Sequence, residues 1–221
     1  MNPIETALHD NTRWEEVHIL NRSFLIQRIH HIDLLLEALS DEEFNQDERL
    51  PYWAEIWPAS VALASYAIEH QSEFEGKKIL ELGCGLGLVG IAVHAVGGDV
   101  LFTDNDIHAL RFTQINFRRN FNQPASVQLF DWRNPGNLTP VDIILGADIL
   151  YEKRWLQPVL DIIELKLKPQ GFAYIAGPDR AVSRGIYDMI EKRKWKRQSL
   201  LKRISIDDKL HQIIIDRISK C

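Results

Sequence analysis

The sequence predicts an α/β fold: one open, seven-stranded, mostly parallel sheet with helices on both faces and an antiparallel last strand. Three observations carry that expectation. From Lys78 onward, short apolar runs alternate with longer stretches of helical period, the order that builds βα units and a parallel sheet. One strand-to-helix junction is glycine-rich. The chain has 221 residues, 45% of them hydrophobic, enough for one full core and too few for two ordinary domains plus a linker.

Residues 17–20 and 24–29 are rich in β-formers and flank Asn21-Arg22-Ser23, which reads as a hairpin turn. Asp33 caps a short helix through Leu39, and the acidic stretch 40–49 reads as solvated loop. Residues 1–49 are therefore expected to form an N-terminal extension, hairpin plus short helix, ahead of a domain over 50–221. The segment 50–58 brings Tyr52, Trp53 and Trp57 together between Pro51 and Pro58, and Pro58 stands where a helix over 59–70 begins. Strands are expected at 78–82, 100–103, 126–130, 141–145 and 172–176, and helices at 88–96, 107–120, 155–167 and 183–194. Two further strands, 196–201 and 211–218, lie around Asp207-Asp208, the last antiparallel and reached by a tight return. No internal repeat or low-complexity tract interrupts this order.

A net charge of −5, from 26 Lys and Arg against 31 Asp and Glu, supplies no global basic field for nucleic-acid phosphates. The basic run 192–197 reads as a solvated helix end, with a local nucleic-acid contact as the alternative. No apolar run approaches the roughly 20 residues that span a bilayer, and the N-terminus lacks a basic-then-apolar signal, so the expected location is cytoplasmic. Cys84 and Cys221 form neither a disulfide framework nor a metal set, and both are expected as free thiols. His30 and His31 are adjacent where metal ligands on one helix face sit three or four apart, so no metal site is expected.

Gly85-Leu86-Gly87-Leu88-Val89-Gly90 is a G-x-G-x-x-G turn, in which missing side chains let a ligand approach the backbone at a helix start. Taken alone, that pattern also suits a dinucleotide. Glu81 at the strand end decides the reading: it opposes a pyrophosphate and attracts the ammonium and sulfonium of S-adenosylmethionine. In an open sheet, ligands lie beyond the carboxyl ends of the strands near the switch point, so residues just after each strand are the candidates. After the second strand comes Thr103-Asp104-Asn105-Asp106, where Asp104, about twenty residues beyond the glycines, suits ribose hydroxyls and Asp106 suits the cap of the next helix. After the third, Asp131 suits an adenine amino group, with Trp132 or Phe130 on a ring face; turn chemistry is the alternative. After the fourth, Gly146 and Ala147 are small enough for a sulfonium to approach, and Asp148 with Tyr151 offers an acceptor and an aromatic hydroxyl to a nucleophile. Alternatively, Asp148 caps the following helix. Tyr52, Trp53 and Tyr151 suit an aromatic wall for a methylated ammonium, and plain packing suits Tyr52 and Trp53 equally.

Together, Glu81-Leu82-Gly83-Cys84-Gly85-Leu86-Gly87, Thr103-Asp104, Asp131-Trp132 and Ala147-Asp148-Ile149-Leu150-Tyr151 resemble the class I S-adenosylmethionine-dependent methyltransferases, a Rossmann-like group. The aromatic segment 50–59 and the Ala-Asp-x-x-Tyr element narrow the resemblance to the methyltransferase-like family of protein lysine methyltransferases. Gly177-Pro178-Asp179-Arg180 looks closest to its branch acting on the electron-transfer-flavoprotein β subunit. The resemblance covers residues 50 to about 180. It implies S-adenosyl-L-methionine as donor, with S-adenosyl-L-homocysteine as product. The methionine end would lie near Glu81, Gly83, Cys84, Gly85 and Gly87, the ribose at Asp104 and Asn105, and the adenine at Asp131-Trp132. Trp57 and Ala147 would line the site, and Asp148 and Tyr151 would face the acceptor. The implied activity is methylation of a side-chain nitrogen, lysine first, of a protein partner. A small-molecule amine as acceptor, and a non-catalytic module that only binds the donor, are the alternatives.

Overall fold

Apolar residues at consecutive strand positions require cover on both faces of a sheet, and the chain supplies it. The computed structural model describes residue 8 and residues 11–34, 51–136, 138–206 and 208–220. Strands β3 (Lys78–Leu82), β4 (Asp99–Asp104), β5 (Ser126–Leu129), β6 (Val141–Ala147) and β7 (Leu167–Gly177) are parallel, and β8 (Lys196–Ile206) and β9 (Lys209–Ser219) complete the order β5-β4-β3-β6-β7-β9-β8. As expected, the last strand is antiparallel. It runs against both β7 and β8 and is inserted between them.

Neighbouring residues divide between the two faces. Ile79, Ile143 and Tyr174 pack with α1 (Pro58–Glu69), α3 (Leu88–His94) and α4 (Ile107–Phe121). Leu80, Ile144 and Ile175 pack with α5 (Leu156–Lys166) and α6 (Ala181–Lys192). A short helix, α2 (Gln71–Phe74), buries Phe74 under α1 and sends Glu73 to the hydroxyls of Tyr66 and Tyr174. The chain winds from β3 outward through β4 and β5, then returns to β6 on the other side of β3, so the switch point lies between β3 and β6. No described helix is long and apolar enough to cross a membrane.

Several boundaries differ from expectation, and β8 runs on to Ile206 instead of ending at residue 201. The helix expected over 155–167 starts as a 3-10 turn at Lys153–Trp155 and ends at Lys166, because Leu167 already pairs with Val141. Lys168-Pro169-Gln170-Gly171, between the expected helix and strand, is therefore strand, accommodated by a register shift between Val141 and Ile143.

The N-terminal hairpin is longer than expected, β1 (Thr12–Ile19) against β2 (Arg22–Ile29), joined by Leu20-Asn21 with Leu20 at φ 56°. Of the helix expected from Asp33, residues 32–34 are helical; the remainder, the loop 40–49, Asp207 and Cys221 lie outside the described residues. The hairpin is not a separate layer: Ile19, Phe24, Ile26 and Ile29 are buried in the same core as α1, α3 and α4. Its open edge is paired by side chains. The Asn116 carboxamide accepts from the Gln27 N–H (2.7 Å) and donates to the Gln27 and Leu86 carbonyls (3.2 and 3.0 Å). One turn later, Asn120 accepts from the Leu25 N–H (3.0 Å) and donates to the Leu25 carbonyl (2.8 Å). Two amides four residues apart on α4 thus stand where a third strand would otherwise pair.

Replacing Asn116 by Ala leaves buried groups of β2 and the glycine loop unpartnered. It should cost about 2 kcal/mol and lower Tm by roughly 4–8 °C, measured by calorimetry. A shift below about 1 °C would mean that the hairpin is held by its apolar residues alone.

Candidate active site

A cleft opens beyond the carboxyl ends of β3, β4 and β6, at the switch point, where an open α/β sheet binds ligands. Glu81 occupies the fourth position of β3, on the face under α3, and is 3% exposed. Its Oε2 accepts from the Gly90 N–H (3.1 Å). A Cβ at Gly90 would come within 2.2 Å of the Phe102 ring and 2.4 Å of Glu81 Oε2, so only glycine lets α3 approach this carboxylate. Burial pushes the Glu81 carboxyl up to about 8 against the pull of the Gly90 N–H, and neighbouring Asp104 adds to the rise.

Asp104 ends β4 with both oxygens engaged, accepting from the Gly85 N–H and the Asp106 N–H, each at 3.0 Å. Burial raises its carboxyl to about 6, with those two N–H groups holding it down. Asp106 caps α4 as expected, accepting from the His108 N–H at 2.7 Å. The loop between β3 and α3 is therefore fastened to both β4 and α4: the Cys84 N–H also donates to the Thr103 carbonyl (2.9 Å), and Thr113 Oγ1 on α4 donates to the Gly85 carbonyl (2.9 Å).

Trp57, Glu81, Gly83, Cys84, Gly85, Asp104, Asn105, Trp132, Ala147, Asp148 and Tyr151 line the cleft together. Two expected residues do not. Gly87 turns the chain at φ 83° into α3, and a Cβ there would meet Thr113 at 2.9 Å, so its smallness serves the turn. Asp131 is engaged by Arg133, whose backbone N–H donates to Oδ1 (2.9 Å) and whose Nη2 donates to Oδ2 (2.7 Å); the turn alternative describes it. Gly146 also differs from expectation, since a Cβ there would strike Ile149 at 2.4 Å; its smallness serves packing. Cys84 is a free, buried thiol, and burial raises it well above its ordinary range.

The aromatic wall is built differently from the expected one. Tyr52 lies 5.5 Å from Tyr151 and 6.1 Å from Trp57, ring to ring, and the Trp57 Nε1–H donates to the Tyr52 carbonyl (2.7 Å). Trp53 turns to Phe112 and His108 while still bordering the cleft. Burial pushes the Tyr151 hydroxyl up to about 12, which keeps it protonated and able to donate at neutral pH.

Asp148 follows β6 in the left-handed region (φ 57°), which Asp tolerates better than most residues, and its N–H donates to the Ala176 carbonyl (2.8 Å). It caps no helix, since the next helical turn begins at Lys153 behind Glu152. Its carboxylate is gripped by Arg180 from the loop after β7, Nη1 on Oδ1 and Nη2 on Oδ2 (3.2 Å).

Sequence reasoning missed Glu55, Glu152, Arg154 and Trp155 on the cleft wall. Arg28 of the hairpin holds Glu55 at 3.0 Å, and Arg154 holds Glu152 at 2.7 Å. The Trp155 indole N–H is buried with no acceptor among the described residues, the kind of donor that a purine ring nitrogen satisfies. Carboxylates on β3 and β4, glycine backbone and indole rings form a donor set that fits S-adenosylmethionine. A dinucleotide would bring a pyrophosphate against two buried acids.

A family model described as lysine methyltransferase matches residues 40–188. The chain is 35% identical over 141 residues to EEF1A lysine methyltransferase 3 of Mus musculus, covering 62% of this chain and 60% of that protein. It is 30% identical over 115 residues to histone-arginine methyltransferase METTL23 of Mus musculus, covering 49% and 46%. This chain thus spans about half to three-fifths of the length of these relatives, and their names carry acceptors other than a flavoprotein subunit. In structure it is similar to the Thermus thermophilus 16S rRNA N2 G1207 methyltransferase, at TM-score 0.67 and 16% identity, covering 97% of this chain and 52% of that one.

The two raised carboxyls set a pH dependence. Both keep protons in the folded chain where the unfolded chain has lost them. Their effect on stability is therefore nil below about pH 4 and increasingly unfavourable as pH rises through about 6 for Asp104 and about 8 for Glu81. A cationic donor favours the ionised forms, so binding should release protons. S-adenosylmethionine affinity should rise between pH 6 and 8, with buffer-dependent heats in calorimetry, and Glu81→Gln should remove most of that dependence. Proton uptake on binding, or a wild-type affinity flat across this range, would contradict the electrostatics.

Proposed function

The chain belongs to the lysine methyltransferase family, and on that premise we propose that it transfers a methyl group from S-adenosylmethionine to a side-chain nitrogen, lysine first, of a protein. The observation that carries this reading is one cleft in which Glu81 and Asp104 stand on one side and the Asp148–Tyr151 element on the other.

When bound, S-adenosylmethionine supplies an electrophilic methyl group on a sulfonium sulfur. Glu81 and the glycine loop would hold its cationic end, Asp104 and Asn105 its ribose, and Trp132 and Trp155 its purine. Much of the acceleration then comes from alignment, which the strand-end residues provide because a packed sheet fixes their backbone. On the acceptor side, Asp148 and the Tyr151 hydroxyl oxygen accept from the N–H groups of the nitrogen and so aim its lone pair, and Tyr52, Trp57 and Tyr151 attract a cationic nitrogen by cation–π contact. The acceptor's proton passes to water, since a lysine amine with pKa of about 10.4 must be neutral to react.

An acceptor on a macromolecule suits the mouth of the cleft. Tyr52 there is 44% exposed, and the described hairpin lies against α3 and α4, reaching the cleft through the Arg28–Glu55 pair. The free thiol of Cys84 suits a reducing compartment, in keeping with a cytoplasmic location.

Incubating the protein with tritiated S-adenosylmethionine and a lysate of the source cells should label a protein band, with methyl-lysine in its hydrolysate. Asp148→Ala should slow labelling about 100-fold while donor binding by calorimetry stays within about threefold. Label confined to small molecules would favour the metabolite alternative, and methylarginine or methylhistidine would move the acceptor while keeping the chemistry.

A further inference from the structure

We propose that Arg180 is a positioning residue for transfer: its guanidinium cancels the charge of Asp148, so that an acceptor amine held beside that carboxylate sheds its proton near neutral pH. The inference rests on the protein-amine reading given above.

The chemistry poses a conflict. A carboxylate is a good group for orienting an ammonium, yet a negative charge within about 4–6 Å raises an amine's pKa by roughly 1–3 units. An isolated Asp148 would therefore favour the protonated, unreactive form of the substrate that it positions. The fold places a cation on the far side of the same carboxylate. Arg180 meets both oxygens of Asp148, the fork geometry that neutralises a carboxylate most completely. The carboxylate side chain is 9% exposed, so solvent screens it little and its partner counts for more.

The surroundings dedicate Arg180 to this contact. Its backbone is fixed at the start of α6, where its N–H donates to the Pro178 carbonyl (2.9 Å) and Ser183 Oγ donates to its carbonyl (2.9 Å). The adjacent Asp179, which would otherwise compete for the guanidinium, is held by Arg184 through two contacts of 2.7 Å. Across the small cavity behind Asp148, Asp216 of β9 is engaged by Arg197 (3.0 Å), and Tyr187 of α6 borders the same space.

On the cleft side, the ionisable groups sharing the wall with Asp148 come from four places. They are Glu81 of β3, Asp104 of β4, Cys84, Asp106 and Glu55 from flanking loops, and Tyr52, Tyr151, Glu152 and Arg154 around the mouth. Glu55 and Glu152 are held by Arg28 and Arg154. The balance at the acceptor is simple: the ammonium gives one proton to water, the nitrogen keeps the electron pair, and no protein group changes protonation. Pairing with Arg180 leaves Asp148 able to accept a hydrogen bond without adding a net negative field.

A strap role, tying the end of β6 to α6, would use the same contact, and the pH profile separates the two. Initial rates of tritium transfer from saturating S-adenosylmethionine to the dialysed protein fraction of the source cells are measured from pH 6 to 10, with donor binding by calorimetry on each variant. Arg180→Ala and Arg180→Gln should move the rising limb alkaline by about one pH unit, about tenfold slower near pH 7 and converging on wild type near pH 10, with donor binding within about twofold. Arg180→Lys should restore most of the limb. The double variant Asp148→Asn with Arg180→Ala, carrying neither charge, should bring the limb back to the wild-type position at a lower plateau. A uniform loss across pH with the limb unmoved, or no loss, would overturn the inference while leaving methyl transfer intact. Absence of transfer by the wild type at every pH would instead overturn the protein-amine reading.

Discussion

The contact between the Glu81 carboxylate and the Gly90 N–H is the constraint on which the site depends. A carboxylate inside an apolar layer is costly unless it is paired, hydrogen-bonded or protonated. Here the N–H at 3.1 Å holds it only in part, since burial still raises the carboxyl to about 8. The same missing side chain at Gly90 that permits the hydrogen bond also lets α3 lie against Phe102 of β4. Helix position, loop path and acid placement are thus one solution. From it follow the fastening of Gly85 to Asp104 and the 2.5 Å contact from Thr103 Oγ1 to the Glu81 carbonyl. Because Glu81 is largely neutral in the free protein at pH 7, its selectivity arises when a cation draws out the charge. An anionic ligand gains nothing from it and still has to meet a second buried acid.

The N-terminal hairpin extends this scaffold. Asn116 bridges β2 and the Leu86 carbonyl, so the glycine loop is supported from behind by a side chain whose other contacts are to the hairpin. Arg28 on the same hairpin reaches Glu55 on the cleft wall. Loosening β2 should therefore be felt at the donor site, although none of its residues lines the cleft.

The central strands were legible because burial on both faces leaves a plain signature of consecutive apolar residues: Lys78–Leu82 stands where the sequence places it. The edge was harder to read. β8 is exposed along most of its length and carries charges, so its apolar signal fades before the strand does. At the site, strand-end residues such as Glu81, Asp104 and Asp148 were readable because parallel topology gathers strand ends into one place. Which cation serves which acid was not readable at long range: Asp148 and Arg180 are 32 residues apart and meet only through the β6–β7 pairing. By contrast, Asp131 and Arg133, two residues apart, carry a local signal in the spacing Asp-x-Arg that favours the turn. Trp155 was hidden because it read only as the first residue of a helix.

The central claim is that this cleft is built for a cationic donor. It is tested most directly by titrating the wild-type protein at pH 7.5 with S-adenosylmethionine and with NADH in parallel calorimetric experiments. The account predicts saturable S-adenosylmethionine binding at micromolar order, about −8 kcal/mol, and no NADH binding up to about 1 mM. Binding of NADH with comparable affinity, or no heat with S-adenosylmethionine, would contradict it.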